Sequence, residues 1–245
     1  MQRNHKSLIV LSGGQDSTTC AFIERLAQGP EAELHTLTFD YNQRHNRELI
    51  AAARISTIIG AKTHEKVVLG PILASSSPLV NHRSKVGTYE TIADLPGGVE
   101  PTFVPGRNIL FMTIAANRAY ALGVRRIVLG LCQEDFGGYF DCRQVFVDLM
   151  ALALGEGIAG DRSYFEIITP LMNLTKAESV ERALKIPGCY EALAYSHTCY
   201  NGEFPPCGKC HACHLRNNGF VVAGVEDPLL LRAAADPTDT FTRTQ

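Results

Sequence analysis

Short β-branched runs alternate with helical patterns along the first two thirds of the chain. Strands are predicted over residues 6–11, 33–39, 64–69, 126–131 and 165–168, and helices over 16–28, 47–59, 108–122, 143–154 and from 176 onward. Strands that alternate with helices form parallel sheets, and helices cover both faces of such sheets. The sequence therefore predicts an α/β fold with about five parallel strands, whose ligands bind at the carboxyl ends of the strands.

Two segments interrupt this alternation. Residues 70–106 are rich in Ser, Pro and Gly without a hydrophobic period, which is typical of a lid, a binding loop or a disordered segment, and a lid is favoured. The polar tail over 233–245 is expected to fray. With 245 residues the chain can form one large core without disulfides. We expect an α/β domain over 1–186 and a helical, cysteine-rich segment over 187–232 before the tail.

The near-neutral charge of the chain limits its partners. Its 23 basic and 25 acidic residues give a net charge of −2, which disfavours binding to nucleic acid through bulk electrostatics. The longest apolar runs, such as Leu8 to Leu11, are too short to span a bilayer, and no signal peptide precedes them. We therefore expect a cytoplasmic protein that contacts neither membranes nor nucleic acid directly.

A glycine-containing loop, Ser12-Gly-Gly-Gln-Asp-Ser17, lies between the first predicted strand and the first predicted helix. The glycines let the backbone approach an anion closely, and the helix start adds N–H groups and a positive dipole end. Alternatively, Gly-Gly only makes a tight turn, and Asp16 or Ser17 only caps the helix. The full hexapeptide favours a phosphate site, and it resembles the pyrophosphate loop of the adenylate-forming ATPases, which include GMP synthetase, NAD synthetase and tRNA-thiolating enzymes.

Four of the eight cysteines, Cys199, Cys207, Cys210 and Cys213, fall within 15 residues near the carboxyl end. Thiols in steps of three residues, with a fourth cysteine from a preceding loop, can close a tetrahedral zinc site of four sulfurs. Such a site is structural, because no coordination position remains for water or substrate. A site with three cysteines and one interleaved histidine stays open, whereas a redox pair fits three evenly spaced cysteines poorly.

The loop, the cysteine cluster and five short motifs together resemble the 7-cyano-7-deazaguanine synthase family of the queuosine pathway. The motifs are Phe39-Asp-Tyr-Asn-Gln-Arg-His45, Thr102-Phe-Val-Pro-Gly-Arg-Asn108, Glu134-Asp-Phe-Gly-Gly-Tyr-Phe-Asp-Cys-Arg143, Thr169-Pro-Leu-Met172 and Cys199-Tyr-Asn-Gly202. The likeness runs from about Ser7 to Asp227. Each motif alone is modestly specific, but the ordered set is highly specific.

The resemblance implies an ATP-dependent ligase. Members of this family convert 7-carboxy-7-deazaguanine, ammonia and ATP into 7-cyano-7-deazaguanine, through an adenylated acid and an adenylated amide, with release of AMP and diphosphate. The resemblance also implies one structural Zn²⁺ per chain, Mg²⁺ that accompanies ATP, a homodimer, and an ammonia source outside the chain. Residues 1–186 are then a nucleotide-binding domain of the ATP-pyrophosphatase type.

The resemblance assigns roles to single residues. Those that match the zinc ligands of the family are Cys199, Cys207, Cys210 and Cys213. The ATP-binding segment comprises Leu11, Ser12, Gly13, Gly14, Gln15, Asp16, Ser17, Thr18, Thr19, Cys20 and Ala21, of which Ser12, Asp16 and Ser17 are the expected catalytic residues. The expected substrate contacts are Arg107, Asp135, Asp141 and Arg143. We expect Arg44 and His45 near the nucleotide.

Some alternatives stay open at this point. Arg107 is otherwise an exposed arginine near a helix start, and Asp141 otherwise caps the next helix. The chain has Gly137-Gly-Tyr-Phe-Asp-Cys-Arg143 where the family usually has Ser-Gly-Tyr-Pro-Asp-Cys-Arg, so a hydroxyl is missing from the expected substrate loop. One rival function is a tRNA-thiolating enzyme, and another is a zinc-stapled binding module that uses the loop as an ATP sensor.

Overall fold

The computed structural model describes residues 5–132 and 138–236. Its strands are β1 (Lys6–Val10), β2 (Glu33–Asp40), β3 (Thr63–Val68), β4 (Arg126–Leu129) and β5 (Glu166–Ile168). They form one parallel sheet in the order β3-β2-β1-β4-β5. The predicted fold class, with five parallel strands, is therefore confirmed.

Eight α-helices lie in the described ranges. They are α1 (Gln15–Gln28), α2 (Arg47–Ile58), α3 (Arg107–Ala121), α4 (Gln144–Ala159), α5 (Lys176–Leu184), α6 (Cys189–Leu193), α7 (His211–Val222) and α8 (Pro228–Ala235). Helix α4 continues past its predicted end at residue 154. It runs through Gly155, where an added Cβ would lie 2.5 Å from the carbonyl oxygen of Asp161. This glycine therefore marks the close approach of the next loop and not a helix end.

The two faces of the sheet are covered by different helices. Ile9 and its neighbours on one face pack against α1, α2 and the helices from α5 onward. Leu8, one residue earlier, faces the opposite side and packs with α3 and α4. Successive strand residues point to opposite faces, so a continuous apolar run can supply both cores. Helices therefore cover both faces, as the sequence predicts.

The C-terminal helices join the core of the sheet rather than standing apart from it. Phe220 of α7 and Leu229 of α8 are buried in the same cluster as Ile9. The buried guanidinium of Arg216 donates to both carboxylate oxygens of Asp227, at 2.6 and 2.8 Å, and to Ser196 Oγ at 2.8 Å. A buried charge with this many partners is compensated for its lost hydration. The domain boundary after residue 186 stays a prediction.

Hydrogen bonds to the rest of the chain hold the first half of the irregular segment 70–106. Arg44 donates to the carbonyl oxygen of Pro78 at 2.8 Å and also to that of Ser84. The backbone N–H of Tyr89 donates to the carbonyl of Lys209 at 2.9 Å, beside the cysteine cluster. Arg44 thus binds this segment, whereas the resemblance implied a place near the nucleotide. No helix in the described ranges has the length and apolar character that crossing a bilayer requires.

The order in which the chain adds strands to the sheet reverses between β1 and β4. β1 pairs with β2 on one side and with β4 on the other, so the loops that follow β1 and β4 diverge and leave a crevice. Gly130, directly after β4, lies so close to α1 that an added Cβ would be 2.7 Å from Ser17 N. The start of α1 therefore packs directly against the backbone that follows β4, at the edge of this crevice.

Replacing Gly130 by alanine should lower the free energy of unfolding by about 1–3 kcal/mol, because the new methyl group overlaps the backbone of α1. Urea titration measures this loss. The matched control is Gly157→Ala in α4, where an added Cβ meets nothing within 4 Å. That exposed helix position should instead gain about 0.5–1 kcal/mol. Equal stability of the two variants would show that the contact at Ser17 is not tight.

Candidate active site and metal centre

A cavity of about 290 Å³ opens at the carboxyl edge of the sheet. The loop after β1 forms one wall and the start of α3 forms another. Aromatic side chains, Phe39 and Phe111 among them, line the space between these walls, and their rings stack at 4.2 Å. The cavity thus lies where the strand order predicts a ligand site.

The loop Ser12–Ser17, here called the phosphate loop, is held by its own hydroxyl groups. Ser12 Oγ and Ser17 Oγ are 3.0 Å apart, and Gly14 N donates to Ser12 Oγ at 3.3 Å. Helix α1 begins with Gly14 at its N-cap position, and no side chain caps it. Its first N–H groups and the positive end of its dipole therefore suit an anion.

Gly13 lets the phosphate loop sit directly on helix α2. Its φ is +84°, and an added Cβ would lie 2.1 Å from the carbonyl oxygen of Glu48. Only glycine tolerates both conditions. On its other side the carbonyl of Gly13 accepts a 2.8 Å hydrogen bond from His197 N, which precedes the cysteine cluster. Helix α2 and the C-terminal segment thus clamp the loop from two sides.

Lys176, at the start of α5, places its positive charge beside the phosphate loop. Its Nζ lies 2.6 Å from Asp16 Oδ2, and its side chain is 15% exposed in the cavity wall. The capping box that the sequence predicts places it, because Thr175 and Glu178 bond reciprocally and fix the first turn of α5. Sequence reasoning missed this residue, since Asp16 and Lys176 are 160 positions apart.

The rest of the expected ATP segment divides into two groups. Leu11, Ser12, Gly14, Gln15, Asp16 and Ser17 line the cavity. The later residues support the loop from inside α1: Thr18 Oγ1 donates to the Gly14 carbonyl at 2.8 Å, and Thr19 Oγ1 donates to the Gln15 carbonyl at 3.1 Å. Cys20 donates to the Leu129 carbonyl at 3.7 Å, and Ala21 is fully buried in the core.

Arg107 is the first residue of α3 and lines the cavity opposite the phosphate loop. Gly106 precedes it with a φ of +77°, a left-handed turn that aims the helix start at the cavity. Burial opposes the charge of Arg107, but the nearby Tyr41, Cys142, Tyr200 and Asp141 together outweigh it and hold the pKa above its ordinary value. This end of the cavity therefore carries a permanent positive charge.

The other expected substrate residues lie elsewhere. Asp141 is buried behind the start of α3, where its Oδ2 accepts from Asn108 N at 3.4 Å, and burial raises its pKa. Arg143 is exposed at the N-cap position of α4, with its guanidinium 5.0 Å from the ring of Phe140. Asp135 lies outside the described residues. The structure thus brings Arg107 into the cavity and places Asp141 as its neighbour.

Glu48, in the first turn of α2, also lines the cavity. Gln43 Nε2 donates to its Oε1 at 2.9 Å. Burial raises the pKa of Glu48 to about 7, although the bond from Gln43 and the charge of Arg107 act against this rise. The sequence shows Glu48 only as an acidic residue at a helix start, a common position that gives no signal of a cavity.

The four clustered cysteines converge, as their spacing predicts. Their Sγ atoms all lie within 4.8 Å of one another, and those of Cys207 and Cys213 are 3.9 Å apart. Tetrahedral coordination with metal–sulfur bonds of about 2.3 Å places sulfurs about 3.8 Å apart. Cys210 caps α7, and its N–H points to Cys207 Sγ at 3.4 Å. The cluster therefore fits a metal ion.

The interleaved histidines have other surroundings. His214 Nε2 is 2.9 Å from the carbonyl oxygen of Tyr89 in the segment 70–106. His197 packs edge-on against His45, with ring centroids 5.4 Å apart. Within the described ranges, the group that can hold a metal contains the four cysteines and no histidine. The geometry thus favours four sulfur ligands over a site with one histidine.

Comparisons with known proteins agree with these features. The sequence model of a family described as "Queuosine biosynthesis protein QueC" matches residues 6–224. A 7-cyano-7-deazaguanine synthase from Gloeobacter violaceus is 56% identical over 226 residues, which cover 91% of this chain and 95% of the relative. Proteins of the same name from Chromobacterium violaceum and Laribacter hongkongensis are 43% and 42% identical, over 95% and 93% of this chain and 96% and 95% of theirs.

A solved structure, the U34-tRNA thiolase NcsA from Methanococcus maripaludis with its 4Fe-4S cluster, aligns with a TM-score of 0.45 and 16% identity over 91% of this chain and 74% of that one. The family model and the three relatives extend over nearly the whole chain, and the range of the family model includes the phosphate loop and the cysteine cluster. They confirm the resemblance that the sequence motifs indicate. The chain therefore belongs to the QueC family of queuosine biosynthesis proteins, the family of 7-cyano-7-deazaguanine synthases.

Proposed function

We propose that this enzyme converts 7-carboxy-7-deazaguanine, ammonia and ATP into 7-cyano-7-deazaguanine, the precursor for queuosine. ATP first adenylates the acid with release of diphosphate, and ammonia displaces AMP to form the amide. A second ATP adenylates the amide oxygen, again with release of diphosphate, and loss of AMP and two protons then leaves the nitrile. One observation carries the proposal: a single cavity has the phosphate loop with Lys176 on one wall and Arg107 on the other.

The phosphate loop is suited to displacement at the α-phosphate of ATP. The leaving pyrophosphate gains negative charge, which the loop N–H groups, the hydroxyls of Ser12 and Ser17, and Lys176 can stabilise. Asp16 holds Lys176 through the 2.6 Å ion pair, so the ammonium group is oriented before the reaction. No covalent nucleophile is needed, because the carboxylate or amide oxygen of the substrate attacks phosphorus directly.

Asp16 also suits the Mg²⁺ that accompanies ATP. Its Oδ1 is buried with no hydrogen-bond partner in the structure, and carboxylate oxygens are ligands that Mg²⁺ prefers. An Mg²⁺ held by this oxygen would supply charge neutralisation on the phosphates. Arg107 can pair with the carboxylate of the deazapurine acid through two N–H groups. The aromatic walls at Phe39 and Phe111 suit flat heterocycles.

One assay tests this function, run with the complete mixture and again with single components left out. Purified protein is incubated with ATP, Mg²⁺, ammonium and the deazapurine acid, and the nucleotide and deazapurine products are identified by mass spectrometry. We expect AMP and the nitrile, both dependent on the acid. Formation of ADP would contradict the proposal, and AMP that depends on tRNA would favour a tRNA-thiolating enzyme. If neither AMP nor nitrile formed, a binding module that senses ATP would be favoured.

We propose that the metal is one structural Zn²⁺ per chain. Four thiolates are a donor set that zinc accepts in structural sites, and they leave no open position for chemistry. All eight cysteines are unbridged, which fits the reducing cytoplasm where we place the enzyme. The ammonia source is then free ammonium or a partner protein. The proposal includes no contact with nucleic acid or membranes.

We also propose a homodimer. Helix α4 supports it, because Val145, Leu149 and Leu152 form an apolar stripe and are 62%, 63% and 49% exposed. Leu149→Glu should convert the dimer to a monomer in light scattering after gel filtration. The control is Leu26→Glu on α1, another exposed leucine, which should leave the mass unchanged. A wild-type monomer at micromolar concentration would exclude the dimer.

A further inference from the structure

The proposed reaction leaves a proton problem that the phosphate loop does not solve. Ammonium must lose one proton to become the nucleophile ammonia, and the nitrogen loses another after it attacks the adenylated acid. The amide nitrogen then loses two protons while the C–O bond to AMP breaks and the C≡N bond forms. Every step after each adenylation therefore needs a base close to the reacting nitrogen.

Two carboxylates line the cavity among the described residues, Asp16 and Glu48. Asp16 is paired with Lys176 at 2.6 Å, so its negative charge is already engaged. Asp141 is buried behind α3 and accepts from Asn108 N. Glu48 instead faces the cavity with one bond from the neutral amide of Gln43.

Glu48 lies close to both the phosphate loop and Arg107, which form opposite walls of the cavity. Its own backbone carbonyl lies against Gly13 of the phosphate loop, where a side chain on that glycine would clash with it. Its side chain acts electrostatically on Arg107, the expected anchor of the acid, and on Tyr41. The acyl carbon whose oxygen becomes adenylated must lie between the phosphate loop and Arg107. A base on this wall is therefore beside the reacting nitrogen.

We propose that Glu48 is the general base that removes protons from the nitrogen in amide and nitrile formation, a role that rests on the proposed function. Its carboxylate first takes a proton from ammonium, and it takes a second N–H proton while nitrogen bonds to the acyl carbon and AMP leaves with its oxygen. In nitrile formation it takes the two N–H protons in turn, the second while the C–O bond to AMP breaks and the C≡N bond forms. Each proton then passes to solvent, so Glu48 returns to its carboxylate form.

The surroundings of Glu48 fit this role. Burial raises the pKa of Glu48 to about 7, so near neutral pH its carboxylate accepts a proton readily and returns it to water. The titratable groups around Glu48 are Arg107 from α3 and Tyr41 from the turn after β2.

The test separates adenylation from nitrogen transfer. Glu48→Gln should retain the acid-dependent exchange of labelled pyrophosphate into ATP without ammonium, within about twofold of wild type. Amide formation with ammonium should fall by about 10²- to 10⁴-fold. Hydroxylamine, which is uncharged at neutral pH, needs less help from a base. It should restore AMP formation and yield the hydroxamate at a rate close to that of wild type.

The control is Glu65→Gln, an acid on β3 that pairs with Arg118 away from the cavity, and both of its half-reactions should be unchanged. Loss of pyrophosphate exchange in Glu48→Gln would overturn the proposal, because Glu48 would then serve adenylation. Unchanged use of ammonium would overturn it too, as would a failure of hydroxylamine to rescue. If wild type itself showed no acid-dependent exchange, the proposed function would fail instead.

Discussion

Replacing Lys176 by methionine should slow the release of pyrophosphate from ATP by about 10²- to 10³-fold. The methionine keeps the length and apolar stem of the side chain but removes the charge that Asp16 holds against the phosphate loop at 2.6 Å. A largely buried charge acts strongly on a leaving group, since little water screens it. Single-turnover release of pyrophosphate, with the deazapurine acid in excess, measures the effect.

Two further variants serve as controls for this result. Lys62→Met removes an exposed lysine that pairs with Glu33, and its rate should match that of wild type. If the single variant unfolds, the double variant Lys176→Met with Asp16→Asn leaves no unpaired carboxylate and is compared with Asp16→Asn alone, so that a further fall in rate reports the lysine. A folded Lys176→Met enzyme with the wild-type rate would show that the lysine does not contact ATP.

Replacing Cys210 by serine should release the metal and lower the free energy of unfolding by about 3 kcal/mol or more, because metal binding at such a site is folding energy. Cys210 is fully buried at the start of α7, and α7 carries Arg216 and Phe220 into the core. Loss of the ligand should therefore loosen the C-terminal helices first. Metal analysis of the purified protein and thermal unfolding measure the two effects.

The matched control is Cys189→Ala, which removes a thiol that is equally buried but lies in α6, outside the cluster. It should keep the metal and lose about 1 kcal/mol from the deleted sulfur. A Cys210→Ser protein with normal stability and full activity would show that the cluster is not structural.

The sequence predicts the elements well because their signals are local. The run Lys6–Val10 is apolar enough for a buried parallel strand, and Thr175 with Glu178 marks the start of α5. The convergence of the four cysteines also follows from spacing, since Cys207 and Cys210 flank a single turn. Such features depend on residues close together in the chain.

The parts that the sequence did not reveal depend on contacts between distant segments. Lys176 meets Asp16 only because α5 packs beside α1, and Glu48 reaches the cavity only because Gly13 rests on α2. Asp141 and Arg143 sit two residues apart, yet one is buried and the other exposed. Asp141 lies within a short 3₁₀ turn, Phe140–Cys142, and Arg143 follows that turn at the start of α4; the tertiary packing of the turn has no signature in the sequence.

The hydrogen bond from His197 N to the Gly13 carbonyl bears on how this enzyme should be prepared. It joins the phosphate loop to a backbone that reaches Cys199 two residues later, so the cysteine cluster holds one side of the phosphate loop in place. Chelators in purification buffers should therefore depress activity before they cause visible unfolding. Preparations with less than one metal per chain should show rates that scale with metal content, and kinetic constants need that content measured alongside.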